Sequence, residues 1–328
     1  MISNGGGIKQ KTRIFLFGFK WYLQGSNQGH MDFQSIALPS ELRYLIVEHY
    51  CLLIAGANIE RFLIYPKQFL KKINSYLRKT KYSHMLLAID IGNTRIKGAV
   101  FEGDKLLESF VFSKSDLEKK IENILKKFQS VTDLIVASVG NLSNDAFLGF
   151  EKELKMHFVS HEDAFPFFNL YETPKTLGID RMVLASGAVL KYPNQNRLVI
   201  DAGTCITYDF VDQNDNYLGG AISPGFRLRY EALHNFTAKL PLLALQSPAN
   251  FVGNSTQQAI HSGVVNGMVH EIEGFINQYI EQYPKFTIIL TGGDTDFLAK
   301  RLKNTIFANS NFLLESLNYL FQYKIKND

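Results

Sequence analysis

The chain has 328 residues, which is too long for one small core, so two domains are expected. Hydrophobic residues make up 46% of the chain, as in ordinary globular proteins, and no uninterrupted apolar stretch of about 18 residues predicts a transmembrane helix. The only cysteines, Cys51 and Cys205, lie far apart. This excludes a disulfide framework and a thiolate metal site, and it indicates a reducing cytoplasm.

The formal net charge of +4 is unevenly distributed along the chain. Residues 1–84 carry 12 Lys or Arg and 4 Asp or Glu, whereas the remainder is net acidic. Nucleic-acid binding would therefore depend on this segment alone, and neither a nucleic-acid partner nor a membrane partner is predicted. Lys9, Lys11 and Arg13 precede an apolar run, but no convincing signal-peptide cleavage site follows.

Met85 immediately precedes the first strand of a self-sufficient α/β pattern. We therefore expect residues 1–84 to be an extension outside the fold and the native chain to begin at Met85. A genuine accessory segment is the alternative.

The first half of the fold, residues 85–195, combines β-type runs with amphipathic helices. A strand that follows a helix gives its sheet a mixed character with parallel pairs. The predicted strands are 85–91, 95–101, 105–112 and 133–138, and the predicted helices are 115–130 and one beginning near Gly178 within 176–190.

The second half, residues 196–328, repeats this pattern. Ser255 is a predicted N-cap for a long helix that begins at Thr256, and His261 and His270 are predicted on that helix's surface. The predicted strands are 197–201, 205–212, 217–223 and 286–290, followed by a terminal helix.

Two similar turns follow the first strand of each half. They read Asp90-Ile91-Gly92-Asn93-Thr94 and Asp201-Ala202-Gly203-Thr204-Cys205. A glycine lets backbone N–H groups approach an anion, a threonine adds a donor, and an aspartate can hold a cation. Either turn alone fits an ordinary hairpin. Their duplication favours two half-domains that bind one polyphosphate, and thus a nucleotide-dependent phosphoryl-transfer enzyme.

Three further motifs are ambiguous by themselves. Thr291-Gly292-Gly293-Asp294 could approach an adenosine or form a plain strand-to-helix turn. The glycine-rich run 218–225 fits a ligand loop or a tight corner. Asp180-Arg181 at a helix start fits helix capping as well as catalysis. The histidines lack metal-ligand spacing, and no P-loop or Rossmann glycine pattern occurs.

Taken together, these motifs resemble those of the type III pantothenate kinases. The resemblance covers the chain from about Met85 to its C-terminus, and the ordered set is far more specific than any one motif. The motifs are, in chain order, 90–94, 178–181, 201–204, 219–225 and 291–294.

The resemblance implies the fold of the acetate kinase, sugar kinase and actin superfamily: α/β, with two ribonuclease-H-like domains that have mixed sheets and flanking helices. It implies ATP-dependent phosphorylation of the pantothenate hydroxyl, the first step towards coenzyme A. It also implies Mg²⁺ with ATP, a monovalent cation (K⁺ or NH₄⁺), and a homodimer whose substrate site lies near the subunit interface.

By motif position, the resemblance also assigns residues to roles. Asp90 would bind Mg²⁺, Asp201 the monovalent cation, and Asp180 would be the catalytic base. Thr256 would contact pantothenate across the dimer. The predicted ATP contacts are Asp90, Ile91, Gly92, Asn93, Thr94, Arg95, Ile96, Lys97 and Thr204, and the predicted pantothenate contacts are Tyr171, Gly178, Ile179, Asp180, Arg181 and Thr256.

The physical chemistry of the motifs agrees with these roles. Phosphoryl transfer needs mainly positioning and charge neutralisation. A roughly normal pKa suffices for a base that orients one hydroxyl, and the Arg181 guanidinium offers a fork to a carboxylate.

One departure from the family pattern is visible after strand 133–138. This chain has Ser138-Val139-Gly140-Asn141 where the family often has Ser-Val-Val-Pro. Two alternatives remain open: a catalytically silent regulator resembling the Bvg accessory factors, and a kinase or phosphatase of the same superfamily with another substrate. The presence of Asp90, Asp180 and Asp201 argues against the first, and the 171–181 string argues against the second.

Overall fold

The computed structural model of the protein describes residues 85–92, 94–138 and 144–327, together with two short strands near the N-terminus. The chain divides into two compact units, Met1–Asn74 and Ser75–Asp328. In the first unit, β1 (Phe15–Leu16) pairs antiparallel with β2 (Phe19–Lys20). Otherwise the predicted extension, like the loop at 139–141, lies outside the described residues.

The first sheet of the second unit has five strands in the order β5-β4-β3-β6-β7. Neighbours β3, β4 and β5 are antiparallel, and β3, β6 and β7 are parallel. The strands are β3 (Met85–Ile91), β4 (Ile96–Glu102), β5 (Lys105–Phe112), β6 (Val131–Ser138) and β7 (Lys155–Phe158).

The second sheet has the order β13-β12-β9-β10-β11-β8. Its central strand β9 pairs antiparallel with β10 and parallel with β12. The strands are β8 (Phe168–Asn169), β9 (Asn196–Ala202), β10 (Cys205–Val211), β11 (Asn216–Pro224), β12 (Phe286–Thr291) and β13 (Phe307–Ala308).

Both sheets therefore share one topology. Numbered along the chain from β3 and from β9, each sheet runs 3-2-1-4-5 with its second strand antiparallel to its neighbours. This is the ribonuclease-H-like arrangement, so the predicted α/β fold with two mixed sheets is confirmed. Because each sheet's first strand is central, Asp90 and Asp201 both lie at central strand ends.

The predicted bounds 85–195 and 196–328 do not separate every element by sheet. β8 precedes residue 196 yet pairs with β11 of the second sheet. The C-terminal helix packs against the first sheet, and its Asn318 Nδ2 donates to Gly103 O at 2.9 Å. The domain bounds themselves stay a prediction.

Two helices lie in a core that both sheets share. Leu86 and Ala88 from the first sheet and Val199 from the second belong to one buried cluster with them. The close approach of the two helices requires small residues where they meet, because a Cβ on Gly187 of one helix would lie 1.9 Å from Ser316 Oγ of the other. These helices are α2 (Ile179–Lys191) and α6 (Phe312–Asn327).

The outer faces of the sheets are covered by the remaining helices. The predicted amphipathic helix near residue 115 is confirmed as α1 (Leu117–Lys127), which buries Leu117, Ile121 and Ile124. On the second sheet lie α3 (Phe226–Asn235), α4 (Thr256–Gln282) and the short α5 (Thr295–Ala299).

Two details of α4 bear on the sequence predictions. Ser255 is confirmed as its N-cap, since its side chain accepts a hydrogen bond from Gln258 N at 3.3 Å. The prediction for His261 is wrong, because this residue is buried and its Nδ1 lies 2.8 Å from Tyr230 Oη of α3. Helix α3 itself was not predicted. His270 is exposed as predicted.

Among the described residues, no helix is both long and apolar enough to cross a membrane.

Candidate active site

The first predicted turn closes the β3–β4 hairpin. Asp90 is buried on β3 and lies opposite Lys97 of β4 in the antiparallel register. Gly92 N donates to Arg95 O at 3.2 Å, and a Cβ on Gly92 would lie 3.1 Å from the same oxygen. Thr94 and Arg95 are exposed at the turn. Asn93 lies outside the described residues.

Ile91 and Ile96 flank this turn but point into the core of the first sheet. Their side chains are therefore unavailable to a nucleotide. Any ATP contact at these two predicted positions would use the backbone.

The second turn, which joins β9 to β10, lies between two glycine-containing segments. Gly203 N donates to Cys205 O at 2.9 Å within the turn. On one side, a Cβ on Gly225 would lie 2.1 Å from Gly203 O. On the other, Gly292 has φ +98° and a Cβ there would lie 2.4 Å from Asp201 Oδ1. Only glycine fits such approaches, so both segments hold this turn closely.

Three aspartates from different parts of the fold, the buried Asp90 and the half-buried Asp180 and Asp201, influence one another. The charges of Asp180 and Asp201 act on Asp90, and the charge of Asp180 acts on Asp201. Lys97 offsets the charges of Asp90, Asp201 and Asp294. The fold thus brings one carboxylate from each sheet to the same lysine, with Asp180 at the start of α2 close enough for its charge to act on both.

This gathering changes the proton affinity of the carboxylates. Burial raises the pKa of Asp90 to about 7, with the nearby charges of Asp180 and Asp201 adding to it and Lys97 opposing it. Burial also raises the pKa of Asp201 to about 6, again against Lys97. One lysine therefore leaves the negative charge of the cluster incompletely balanced.

A cation fits this arrangement chemically. Carboxylates at a strand end beside a glycine turn are the ligand type that Mg²⁺ uses together with phosphate oxygens. At Asp201 a second oxygen is available, because the buried Thr291 Oγ1 has no hydrogen-bond partner among the described residues. Thr291 and Asp201 are in register on neighbouring strands β12 and β9.

Asp180 occupies the first turn of α2. Its Oδ1 accepts a hydrogen bond from Arg181 N at 2.9 Å, and a Cβ on Gly178 would lie 2.4 Å from the same Oδ1. Gly178 is therefore required for this carboxylate orientation. Burial raises the pKa of Asp180, which differs from the roughly normal pKa expected from the sequence.

Arg181 makes an ion pair that the sequence did not reveal. Its Nε donates to Asp209 Oδ1 at 2.7 Å, and both side chains are buried. The Nε edge is therefore not free to form the fork expected for a substrate carboxylate. Its Nη2 has no hydrogen-bond partner within the described chain.

Asp209 is the centre of a buried network. Its carboxylate also accepts hydrogen bonds from Tyr217 Oη at 2.7 Å and Thr207 Oγ1 at 3.0 Å. The available sequence signal was a charged residue between Tyr208 and Phe210 in an otherwise apolar strand. Such a residue needs a buried partner, but its partner lies 28 positions away.

Tyr171 lies against the same network. Its ring centroid is 5.7 Å from Arg181 Cζ, and its Cδ2 is 3.2 Å from where a Cβ on Gly219 would lie. The structure thus brings Tyr171 and Arg181 together, as the predicted substrate contacts require. Ile179 is buried in the shared core, and Thr256 is exposed at the start of α4 and takes part in none of the contacts described above.

A cleft of about 450 Å³ opens beside the second turn. It lies between α3 and the segment 242–245, and Asp294 forms part of its wall. Among the residues that line it, Phe226 and Tyr230 are almost fully buried, Leu242 supplies exposed apolar surface, and Arg227 supplies a charge. Since Asp294 also interacts with Lys97, the cleft adjoins the carboxylate cluster.

Replacing Asp90 should stabilise the cation-free protein at high pH. The unfolded carboxyl has its usual pKa of 3.8 and the folded one about 7, so the folded state binds more protons between these values and wild-type stability falls as pH rises through this window. Asp90→Asn should therefore gain unfolding free energy relative to wild type between pH 5 and pH 8, by at most about 3 kcal/mol. Urea denaturation of both proteins in EDTA, at pH values from 5 to 8, measures this difference in unfolding free energy.

Asp212→Asn provides a control of opposite sign. Although burial acts in the other direction, hydrogen bonds from the Asn216 side chain and backbone hold the pKa of Asp212 below its usual value. The Asp212 carboxylate stabilises the folded state above its unfolded pKa, and this stabilisation is lost on acidification. Asp212→Asn should therefore be less stable than wild type at pH 8. An Asp90→Asn protein less stable than wild type at pH 8 would contradict the burial argument.

Comparison with known proteins agrees with this geometry. The type III pantothenate kinase family model matches residues 86–278. A type III pantothenate kinase of Flavobacterium johnsoniae is 69% identical over 244 residues, covering 74% of this chain and 100% of that protein. One of Flavobacterium psychrophilum is 60% identical, covering 73% and 100%, and one of Christiangramia forsetii is 47% identical, covering 73% and 98%. The chain belongs to the type III pantothenate kinase family.

Proposed function

We propose that this protein transfers the γ-phosphoryl group of ATP to the hydroxyl of pantothenate, the first step of coenzyme A biosynthesis. The observation that carries the proposal is that Asp90 and Asp201, one from each sheet, share the charge of Lys97, while the charge of Asp180 acts on both. A site with unbalanced negative charge suits a cation-bound polyphosphate, and the type III pantothenate kinase relatives provide the substrate class.

ATP would lie between the two turns. Backbone N–H groups at Thr94 and Arg95 would contact its phosphates, with Thr204 opposite and Lys97 neutralising charge. The N–H of Gly92 donates to Arg95 O, so Gly92 would contribute by letting the phosphates approach the backbone closely. Bound Mg²⁺ supplies charge neutralisation at the transferring phosphoryl group, and Asp90 would hold it. The cleft beside Asp294 would accept the base, since the exposed Leu242 and Leu245 offer it apolar surface.

Asp180 would act as the base. Its carboxylate would accept the hydroxyl proton of pantothenate as the hydroxyl oxygen bonds to the γ-phosphorus and the bond from that phosphorus to the bridging oxygen breaks, releasing ADP. A pKa raised by burial brings a carboxylate closer to the operating pH, where a general base is more effective.

Pantothenate would bind beside Asp180, where Tyr171, Gly178 and Arg181 converge. The unpaired Nη2 of Arg181 would donate to the substrate carboxylate. Ile179 would contribute through its backbone. Thr256 would contact the substrate from a second subunit.

Asp201 would hold a monovalent cation, K⁺ or NH₄⁺, with the unpartnered Thr291 hydroxyl as a second oxygen. These residues fit a cation that neutralises charge beside the phosphates without competing with Asp90 for Mg²⁺. The reducing compartment implied by the cysteine content fits a cytoplasmic enzyme.

An assay with ATP, Mg²⁺, K⁺ and pantothenate tests the function and the base together. Wild type should form 4′-phosphopantothenate, detectable by ³¹P NMR. Asp180→Asn should lower kcat by at least about 10³-fold with ATP affinity retained, because the amide cannot accept the proton. Near-wild-type turnover in this variant would refute the base assignment.

The same assay separates the proposed function from its alternatives. Absence of product with wild type would favour a regulator. ATP turnover only with another hydroxylated acceptor would favour a different substrate.

A homodimer is also part of the proposal. Exposed apolar side chains, including Phe168, Leu218 and Ile222, lie along β8 and β11. Beyond the pairing of Asn216 and Tyr217 with β8, that edge of β11 has no further strand pairing in the described chain. An apolar, unpaired edge is a surface that proteins normally cover.

Sedimentation velocity of the full chain should give the dimer mass, and Ile222→Glu should shift it to the monomer. Lys105→Glu, on an exposed strand of the other sheet, serves as a control that should leave the mass unchanged. A monomeric wild type at micromolar concentration would contradict the dimer.

A further inference from the structure

Arg229 and Glu271 form an ion pair outside the residues that the motifs single out. Arg229 Nη2 on α3 donates to Glu271 Oε2 on α4 at 2.5 Å. Their side chains are only 20% and 24% exposed. Neither lies in the glycine-containing turns, and the proposed chemistry uses neither.

The same guanidinium also binds the chain segment before its own helix. Arg229 Nε donates to Pro224 O at 2.9 Å, and Nη2 donates to Ser223 Oγ at 3.1 Å. Arg229 thus contacts the 223–225 turn, the junction at which β11 ends with Ser223 and Pro224 and Gly225 leads into α3, through both the backbone and a side chain. Strand pairing with β10 also holds Ser223 and Pro224.

The 223–225 turn packs against the turn that joins β9 to β10 and contains Thr204. Gly225 N donates to Thr204 O at 3.0 Å. A Cβ on Gly225 would lie 2.6 Å from that same oxygen, so the two backbones are in direct contact. A displacement of the 223–225 turn would therefore move Thr204, the proposed ATP contact.

Glu271 is held on its other side as well. Its Oε1 accepts a hydrogen bond from Tyr208 Oη at 3.1 Å, and Tyr208 is fully buried on β10. The Glu271 carboxylate is thereby fixed to β10, the strand that follows the turn containing Thr204. Strand β10, α4, α3 and the 223–225 turn form one connected path.

We propose that Arg229 and Glu271 are positioning residues for ATP: through the 223–225 turn they fix Thr204, and so they set nucleotide affinity without contacting the substrate. This rests on the proposed function insofar as Thr204 is an ATP contact. Pantothenate binding at Tyr171 and Arg181 involves none of these contacts and should be independent of them.

Two variants of the full-length protein test the proposal. Arg229→Lys keeps the charge opposite Glu271, but an ammonium cannot reproduce the planar set of bonds to Ser223 and Pro224. We expect the Kd for Mg²⁺·ATP by calorimetry and the KM for ATP to rise about tenfold. Glu271→Gln leaves Arg229 without its charged partner and should raise both several-fold. The kcat and the KM for pantothenate should stay within about twofold of wild type.

Glu273→Gln is the matched control. Glu273 lies two residues further along α4, and its carboxylate binds Lys303 N at 2.6 Å and Asn304 Nδ2 at 2.7 Å, away from the 223–225 turn. This variant should leave ATP binding unchanged.

Thermal unfolding establishes that each variant is folded before affinities are compared. The proposal is overturned if folded Arg229→Lys binds ATP like wild type, or if kcat and both KM values change together. Because ATP binding is measured without pantothenate, a wild type that binds ATP but fails to phosphorylate pantothenate would refute the proposed function and leave this inference standing.

Discussion

The desolvation of Asp90 and Asp201 at the ends of central strands is the constraint on which the site depends. Withdrawing carboxylates from water is unfavourable, and the raised pKa values of Asp90 and Asp201 express this cost, to which the charge of Asp180 adds and which Lys97 offsets in part. The surrounding fold must hold them there: central strands β3 and β9 place two of the carboxylates, and the start of α2 places the third. The packing of the shared core around α2 and α6 offsets this unfavourable free energy, because both sheets pack against the same two helices.

The duplicated topology does not produce a symmetric site. The first turn has Lys97 in register with its aspartate, whereas the second has Thr207 and the unpartnered Thr291 beside Asp201. A turn with a lysine suits phosphates, and one lined by hydroxyl oxygens suits a cation. The acceptor side is set apart by α2, where Gly178 lets the Asp180 carboxylate fold close to the backbone and Asp209 fixes the neighbouring arginine.

Local signals in the sequence predicted the fold well. Alternating apolar strands, the Ser255 N-cap and the two aspartate-glycine turns depend on neighbouring residues, and the structure has each of them. Contacts between residues that are far apart in the sequence leave no such local signal. The pair of Arg181 with Asp209, the buried His261 and the bond from Arg229 to Glu271 all join separate elements. Helix α3 was missed because the glycine- and proline-rich run before it indicated a loop.

The most direct test of the account is the proton balance of nucleotide binding. If a bound cation stabilises the charged form of the desolvated carboxylates, the pKa of Asp90 must fall from about 7 when Mg²⁺·ATP binds. Calorimetric titration at pH 6.5 in two buffers with different ionisation enthalpies measures this. Because binding releases a fraction of a proton to the buffer, the binding heats should differ between the two buffers. The number of protons released should be smaller in Asp90→Asn than in wild type. Equal heats in both buffers, showing no proton release, would contradict it.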